Sequence, residues 1–356
     1  VSRVAGTLAL GAAMTVTAGV FGSPSLYVPG IALLLLATVA VVWVSGAAAG
    51  AALERRAGPP TVEEQRSWPI AIEARTGLLP APGGDLVEPL LRGGLPMIGR
   101  RSRRLRVDVT FERRGKRTLE PARLVIRDPL GLVERRVESV GRQEVLVLPR
   151  VEPVVAAAAG AAGAADAAVG SRPAEVAAEV EMESLRPYRE GAPASRIHWP
   201  TVARVGTLME RRLLADSDSR PLVVVDPTHA DSEEALDMAV RAAASLCVHL
   251  ARGGGCSLFL PGDRRAADIG ADLGGWPSLH ARLALVDSKA AAPAARLEGR
   301  RGAIFWVSAS ARLPRALERI NAQRYLVGPA APRGRAVFEV AGCTGVALGK
   351  AARRAA

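Results

Sequence analysis

Two stretches of this 356-residue chain gather side chains that could do chemistry. Residues 185–213, LRPYREGAPASRIHWPTVARVGTLMERRL, bring Arg186, Arg189, Arg196, Arg204, Arg211 and Arg212 together with Tyr188, His198 and Trp199. Arginines among aromatics can grip phosphates and stack bases. They can also stack on one another to knit a segment onto a neighbouring sheet, or present a surface to a protein partner. No DNA- or RNA-binding module surrounds the segment, so nucleic acid is set aside and the other two readings stay open. His198 has no second His or carboxylate at ligand spacing, which argues against a metal or catalytic role. The second stretch is Asp226-Pro227-Thr228, a carboxylate and a hydroxyl two residues apart at the end of an apolar run. Oxygen donors of that kind suit Mg²⁺; an Asp in that place also caps a following turn or helix. Enzyme templates fail: there is no G-x-S-x-G, H-E-x-x-H or G-x-G-x-x-G. In TGVALGK (344–350), Thr344 replaces the first Gly of a P-loop and Ala351 its final Ser/Thr. The expectation is a protein that is not an enzyme.

The elements that must hold these residues follow from apolar periodicity. RPLVVVD reads as a buried strand and residues 231–250 as a helix with Leu236, Val240, Ala243, Leu246 and Cys247 on one face. CSLFL, AIFWVS and RYLVG continue as strands, with WPSLHARLALV and LPRALERIN as helices between them. Repeated βα units predict a parallel-sheet α/β domain over 220–345, with ligands at the carboxyl ends of its strands. Upstream, RLRVDVTFER alternates Leu105, Val107, Val109 and Phe111 with charged residues, and ARLVIRD and EVLVLPR repeat the pattern. An antiparallel β-sandwich over 61–155 is the simplest account. Residues 156–180, nearly pure Ala and Gly at first, read as a linker. The segment at 181–219 then leads into the α/β domain, and 346–356 forms a basic tail.

Ahead of all this lies an apolar excess. Val4–Gly22 and Val28–Leu53 carry no charge, and each is long enough to cross a bilayer core as a helix. Joined by Ser23–Tyr27, they predict a transmembrane hairpin over residues 1–54. Alone, the first span would pass for a signal peptide. Arg3 before the pair and Arg55 and Arg56 after it, against an uncharged turn, place both ends and the soluble domains in the cytoplasm of a cell membrane. Val1 fits a GTG start codon, so an amino terminus near this point is expected. The net charge is +12, with 47 basic and 35 acidic residues. Two-thirds of that excess falls in residues 100–150. The Arg100–Arg106 cluster reads as the solvated face and ends of strands and, beside a bilayer, as a contact for anionic headgroups. Cys247, Cys256 and Cys343 are odd in number and widely spaced, which agrees with a reducing compartment.

Two resemblances add to this reading. Asp226 and Thr228 resemble the opening D-x-S of the metal-ion-dependent adhesion site of von Willebrand factor type A domains. Ala230 stands where a second Ser is usual and Ser308 where a further carboxylate is usual. The run L-R-x-Y-x-x-G-x-x-x-x-R-I-x-W-x-x-x-A-R-x-x-x-L resembles the signature of the bacterial domain-of-unknown-function family 58. It is carried here by Leu185, Arg186, Tyr188, Gly191, Arg196, Ile197, Trp199, Ala203, Arg204 and Leu208. RDPLGLVERR (127–136) and EVLVLPRVEPV (144–154) are similar to the family as well. Ala192 and His198 depart from it where aspartates are common. The resemblance implies a membrane hairpin, a β-sandwich-like insert and a von Willebrand type A-like domain. It also implies partnership with a MoxR-type AAA+ ATPase and with a transglutaminase-like membrane protein in envelope-related assembly. The function expected is therefore a membrane-anchored, cytosol-facing scaffold or adaptor with no cofactor. The alternative is a Mg²⁺-dependent receptor using Asp226 and Thr228 with Ser308 or Ser310.

Overall fold

A computed structural model describes residues 2–157, 182–187, 199–213, 220–295, 297, 300–310, 312, 314–317, 320, 322–329 and 336–348. The chain divides into two compact units, Val1–Glu112 with Lys116–Val147, and Arg113–Gly115 with Leu148–Ala356.

The first unit begins with two apolar helices, α1 (Ser2–Phe21) and α2 (Pro24–Ala48), folded into a hairpin. The reversal is shorter than expected from the sequence. Gly22 takes φ +59°, Ser23 is the N-cap, and Pro24 opens α2, where its fixed φ and missing N–H suit the first helical position. Glycines let the helices touch: a Cβ on Gly30 would lie 2.6 Å from Thr15 Oγ1, and one on Gly11 3.0 Å from the Gly30 carbonyl. Leu10, Val16, Val20, Val28, Ile31, Leu35 and Val42 point outward and are exposed. Both helices are long and apolar enough to be membrane spans.

The second span stops earlier than composition suggests. Residues 49–53 leave the helix, and Leu53, in strand β1 (Ala52–Ala57), is buried in a soluble core instead. The last turn of α2 joins that core: Val44 and Ala47 pack in one cluster with Leu53, Trp68, Ile70, Ile72, Leu124 and Val147. Helix ends leave carbonyls without partners, and here a loop supplies them. The Gly77 N–H donates to Ala47 O (2.7 Å) and the Leu78 N–H to Gly46 O (3.0 Å), while in the opposite direction the Trp43 indole N–H of the helix donates to Pro80 O of the loop (3.0 Å). A Cβ on Gly77 would sit 1.7 Å from Ala49 O, so only glycine permits this approach.

From there the unit is antiparallel sheet. Strand β1 pairs with β3 (Ser67–Arg75), and β3 with β6 (Ser102–Thr110), in a register Ala52↔Arg75↔Ser102 at the helix end. The alternating exposure of β6 follows its sequence. A second sheet runs β5 (Gly94–Pro96), β4 (Gly84–Val87), β8 (Arg123–Arg127), β9 (Glu134–Glu138). A third joins β2 (Thr61–Glu63), β10 (Gln143–Leu148) and β7 (Gly115–Leu119). Arg55 is buried against Glu88 at 2.8 Å and also donates to Glu120 O. Burial raises the Glu88 carboxyl above the ordinary carboxylate range and lowers the Arg55 guanidinium, each partly offset by the other's charge.

The second unit is built on a mixed eight-stranded sheet rather than an all-parallel one. Its order is β11 (Val155–Ala156), β19 (Ala336–Val340), β20 (Cys343–Ala347), β18 (Arg324–Gly328), β17 (Ile304–Ser308), β14 (Leu222–Asp226), β15 (Cys256–Phe259), β16 (Ala267–Ile269). The pairs β14–β15, β14–β17 and β17–β18 are parallel; the outer pairs are antiparallel. The parallel strands are buried on both faces, as their unbroken apolar runs require. One face carries Val223, Val225, Phe305 and Tyr325 against helices α4 (Glu233–Arg252) and α5 (Trp276–Ala284). The other carries Leu222, Val224, Trp306 and Leu326 against Leu297, Leu317 and Ile320. The expected face of α4 is buried, and its many alanines bury most of the rest too. The helix expected over 313–321 shows a 3₁₀ turn at Arg315–Leu317 among the described residues. The P-loop-like residues 344–347 lie in β20, whose backbone pairs with β18 and β19 and so cannot cradle a phosphate. The expected linker, 156–180, lies mostly outside the described residues, except that its first residue, Ala156, joins Val155 at the end of the expected sandwich in an edge strand on β19. Residues 349–356 of the basic tail lie outside them as well.

Gly77→Ala is expected to destabilise the first unit by about 1–3 kcal/mol or more through the backbone clash, read as a lower urea midpoint of the purified full chain. For the buried pair, Arg55→Met leaves Glu88 without its cation and is expected to cost about 3–5 kcal/mol, with most of it recovered by adding Glu88→Leu. Because the folded Glu88 holds its proton more tightly than the unfolded one, its contribution is fully present below the ordinary carboxylate pKa. That contribution is lost as pH rises through the elevated value. Glu88→Gln should flatten that part of the stability-against-pH curve in denaturant titrations.

Candidate functional site

The sheet of the second unit dictates where a ligand would sit. From β14 the chain goes to β15 on one side, while β17 and then β18 lie on the other, so the crevice beyond the carboxyl ends of β14 and β17 is the topological switch point. Those ends are Asp226 and Ser308, which face each other in the strand register. The sequence-derived Asp226 and Thr228 therefore stand at the place the fold favours, beside Ser308 and Ser310.

The carboxylate of Asp226 is half-buried and already engaged. Its Oδ1 accepts from the Thr228 N–H (3.0 Å) and the Thr228 hydroxyl (2.6 Å), and its Oδ2 accepts from the Trp306 indole N–H (3.1 Å). Trp306 was not singled out by sequence. It is 3% exposed, and a Trp that deep needs an acceptor for its N–H; that need was the available signal. His229, two residues past the buried Pro227, is exposed at φ +56° and completes a tight reversal into α4. The helix is then capped by Ser232, whose hydroxyl accepts from the Ala235 N–H (3.1 Å). Across the crevice, Ser308 Oγ accepts from the Ser310 N–H (3.2 Å) and Ser310 Oγ from the Arg312 N–H (3.3 Å), and both serines are buried.

This donor set suits loop organisation rather than a cation. Three N–H or O–H donors converge on the Asp226 carboxylate, and an indole N–H held at its Oδ2 repels a metal approaching that oxygen. No group of three or more His, Cys, Asp or Glu that could hold a metal occurs among the described residues. Thiol chemistry is also disfavoured. Burial pushes the Cys343 thiol up to about 12 and that of Cys247 well above its usual value, so both stay protonated at neutral pH. Cys256 is buried too, and all three are free.

The other candidate segment is partly visible. Leu185 and Arg186 lie in β12 (Met182–Pro187), which pairs antiparallel with β13 (Met209–Leu213). Between them stands the short helix α3 (Trp199–Val205). Trp199 is 61% exposed, and Ala203, one turn further on, is exposed as well. Arg204 and Leu208 are also exposed. Tyr188, Gly191, Arg196 and Ile197 lie outside the described residues. No protein-family model matches this chain, and no curated protein matches it.

Asp226→Asn presents an NH₂ either to the Thr228 donors or to the Trp306 N–H, and is expected to cost about 1–3 kcal/mol, measured by chemical denaturation of the full chain in detergent. Added Mg²⁺ or Mn²⁺ is expected to leave the wild-type midpoint unmoved. A metal-dependent rise that Asp226→Asn abolishes would establish the metal-dependent receptor instead.

Proposed function

We propose that the protein is a membrane-anchored, cytosol-facing scaffold or adaptor without enzymatic activity. In this reading the antiparallel sheets of the first unit form a β-sandwich, the mixed sheet of the second is a von Willebrand type A-like domain, and the apolar hairpin is the anchor. The observation that carries it is the exposure of Trp199 with Ala203, Arg204 and Leu208. Solvent-facing Trp beside Arg is the composition of binding hot spots rather than of a core. Positive residues flanking the hairpin, at Arg3, Arg55 and Arg56, support the cytosolic side. The signature resemblance at residues 185–208 supports membership of the bacterial domain-of-unknown-function family 58. With it comes a MoxR-type AAA+ ATPase as the partner, and a transglutaminase-like membrane protein as a further one, in envelope-related complex assembly.

The test is co-purification of the tagged full chain with a MoxR-type ATPase from detergent-solubilised membranes of its own host. Trp199→Ala with Arg204→Ala is expected to reduce recovery by about tenfold or more, as removal of a hot-spot pair does, while leaving the urea midpoint unchanged. Equal recovery with the double variant, or no ATPase recovered with the wild type, overturns the proposal.

A further inference from the structure

At the helix end of the first unit, three tight loops each push an aliphatic side chain into the open. Leu78 (74% exposed) follows Gly77, whose N–H is bonded to α2. Ile98 (67% exposed) precedes Gly99, whose N–H donates to Ala81 O (2.9 Å). Leu130 (62% exposed) sits in a turn held by the buried Asp128, which accepts from the Leu130 N–H (2.9 Å) and the Val133 N–H (2.6 Å). That same turn receives the Arg3 side chain on Gly131 O (3.5 Å), so it lies at the start of α1. Aliphatic tips on hydrogen-bonded turns gain nothing from water. They stand beside the point where the outward apolar faces of α1 and α2 begin, which Trp43, half-exposed and bonded to Pro80 O, marks as an interfacial Trp would. Arg100 and Arg101 occupy the same edge: Arg100 O accepts from the Ala81 N–H and Arg101 O from the Thr76 N–H. Both are exposed, and neither is in an ion pair among the described residues. In contrast, Arg75 and Arg104 close by are both paired with Glu73.

We infer that this edge is a lipid-docking surface: Leu78, Ile98 and Leu130 rest in the headgroup layer, and Arg100 and Arg101 take anionic phospholipid headgroups. Apolar tips together with uncommitted cations match the two components of an anionic bilayer surface. The inference rests on the anchor reading above and adds a second contact, which fixes the orientation of the sheets against the bilayer.

The test places an environment-sensitive fluorophore on the full chain in lipid nanodiscs. Leu78→Cys and Ile98→Cys report the edge. Thr110→Cys, exposed at the far end of β6 and about 27 Å away at the rise of a strand, is the control. The native cysteines are buried and do not compete for the label. With discs of equal parts phosphatidylcholine and phosphatidylglycerol, the two edge probes are expected to shift to the blue and to be quenched several-fold more than the control by brominated acyl chains. Arg100→Gln with Arg101→Gln should bring that quenching down to the level seen in phosphatidylcholine alone. Edge probes no more quenched than the control overturn the inference. So does a blue shift without lipid quenching, which would mark a protein or a second copy as the occupant. Quenching equal in both lipids overturns the anionic component. Extraction of the chain by alkaline carbonate is the separate result that would remove the anchor reading itself.

Discussion

The first unit depends on how one helix ends. A helix with apolar faces outward carries carbonyls at its C-terminus that must find donors, and α2 finds them in the backbone of residues 77 and 78. Because Gly77 comes two residues after the end of β3, that contact also sets where β3 stops against β1, and through β3 where β6 begins. A slip of one residue would turn every side chain of β3 to the opposite face, taking Trp68, Ile70 and Ile72 out of the core. The cap of α2 and the register of the sheet are thus one constraint, and the burial of Val44 and Ala47 beside those same strands follows from it.

The second unit solves a different problem, the closing of the open end of a parallel sheet. Strands β14 and β17 deliver Asp226 and Ser308 side by side with no further strand residues to pair them. Each side chain instead takes N–H groups from the turn that follows it. The indole of Trp306 crosses from β17 to Asp226, so the two turns are joined by a bond between strands 80 residues apart in sequence. What results is a polar crevice satisfied from within, while Trp199, elsewhere on the unit, faces solvent.

Much of this was legible in the residues. The alternation of Leu105, Val107 and Val109 marked β6, the apolar run before Asp226 marked β14, and uncharged length marked the helical pair. Errors came where composition carries no direction. Leu53 is as apolar as a lipid-facing residue, and only the sheet that forms around it shows that it belongs to a core. Pro24 reads as part of the Ser23–Tyr27 join until its place at the first turn of α2 is known. The 3₁₀ turn at Arg315–Leu317 has the apolar spacing of a helix but directly follows Pro314. Asp226 and Thr228 were visible because they are neighbours in sequence. Trp306 was not, because its role depends on strand order, which periodicity does not encode.

The cap on α2 also has a bearing on the order in which the chain is made. The Ala47 carbonyl waits for a donor thirty residues further along, so the helix is fully synthesised well before its end is sealed. During that interval the last carbonyls need water, which hydrocarbon does not offer. Under the anchor reading, the final turn then belongs at the wet edge of a bilayer, where water serves those carbonyls until residues 77 and 78 arrive.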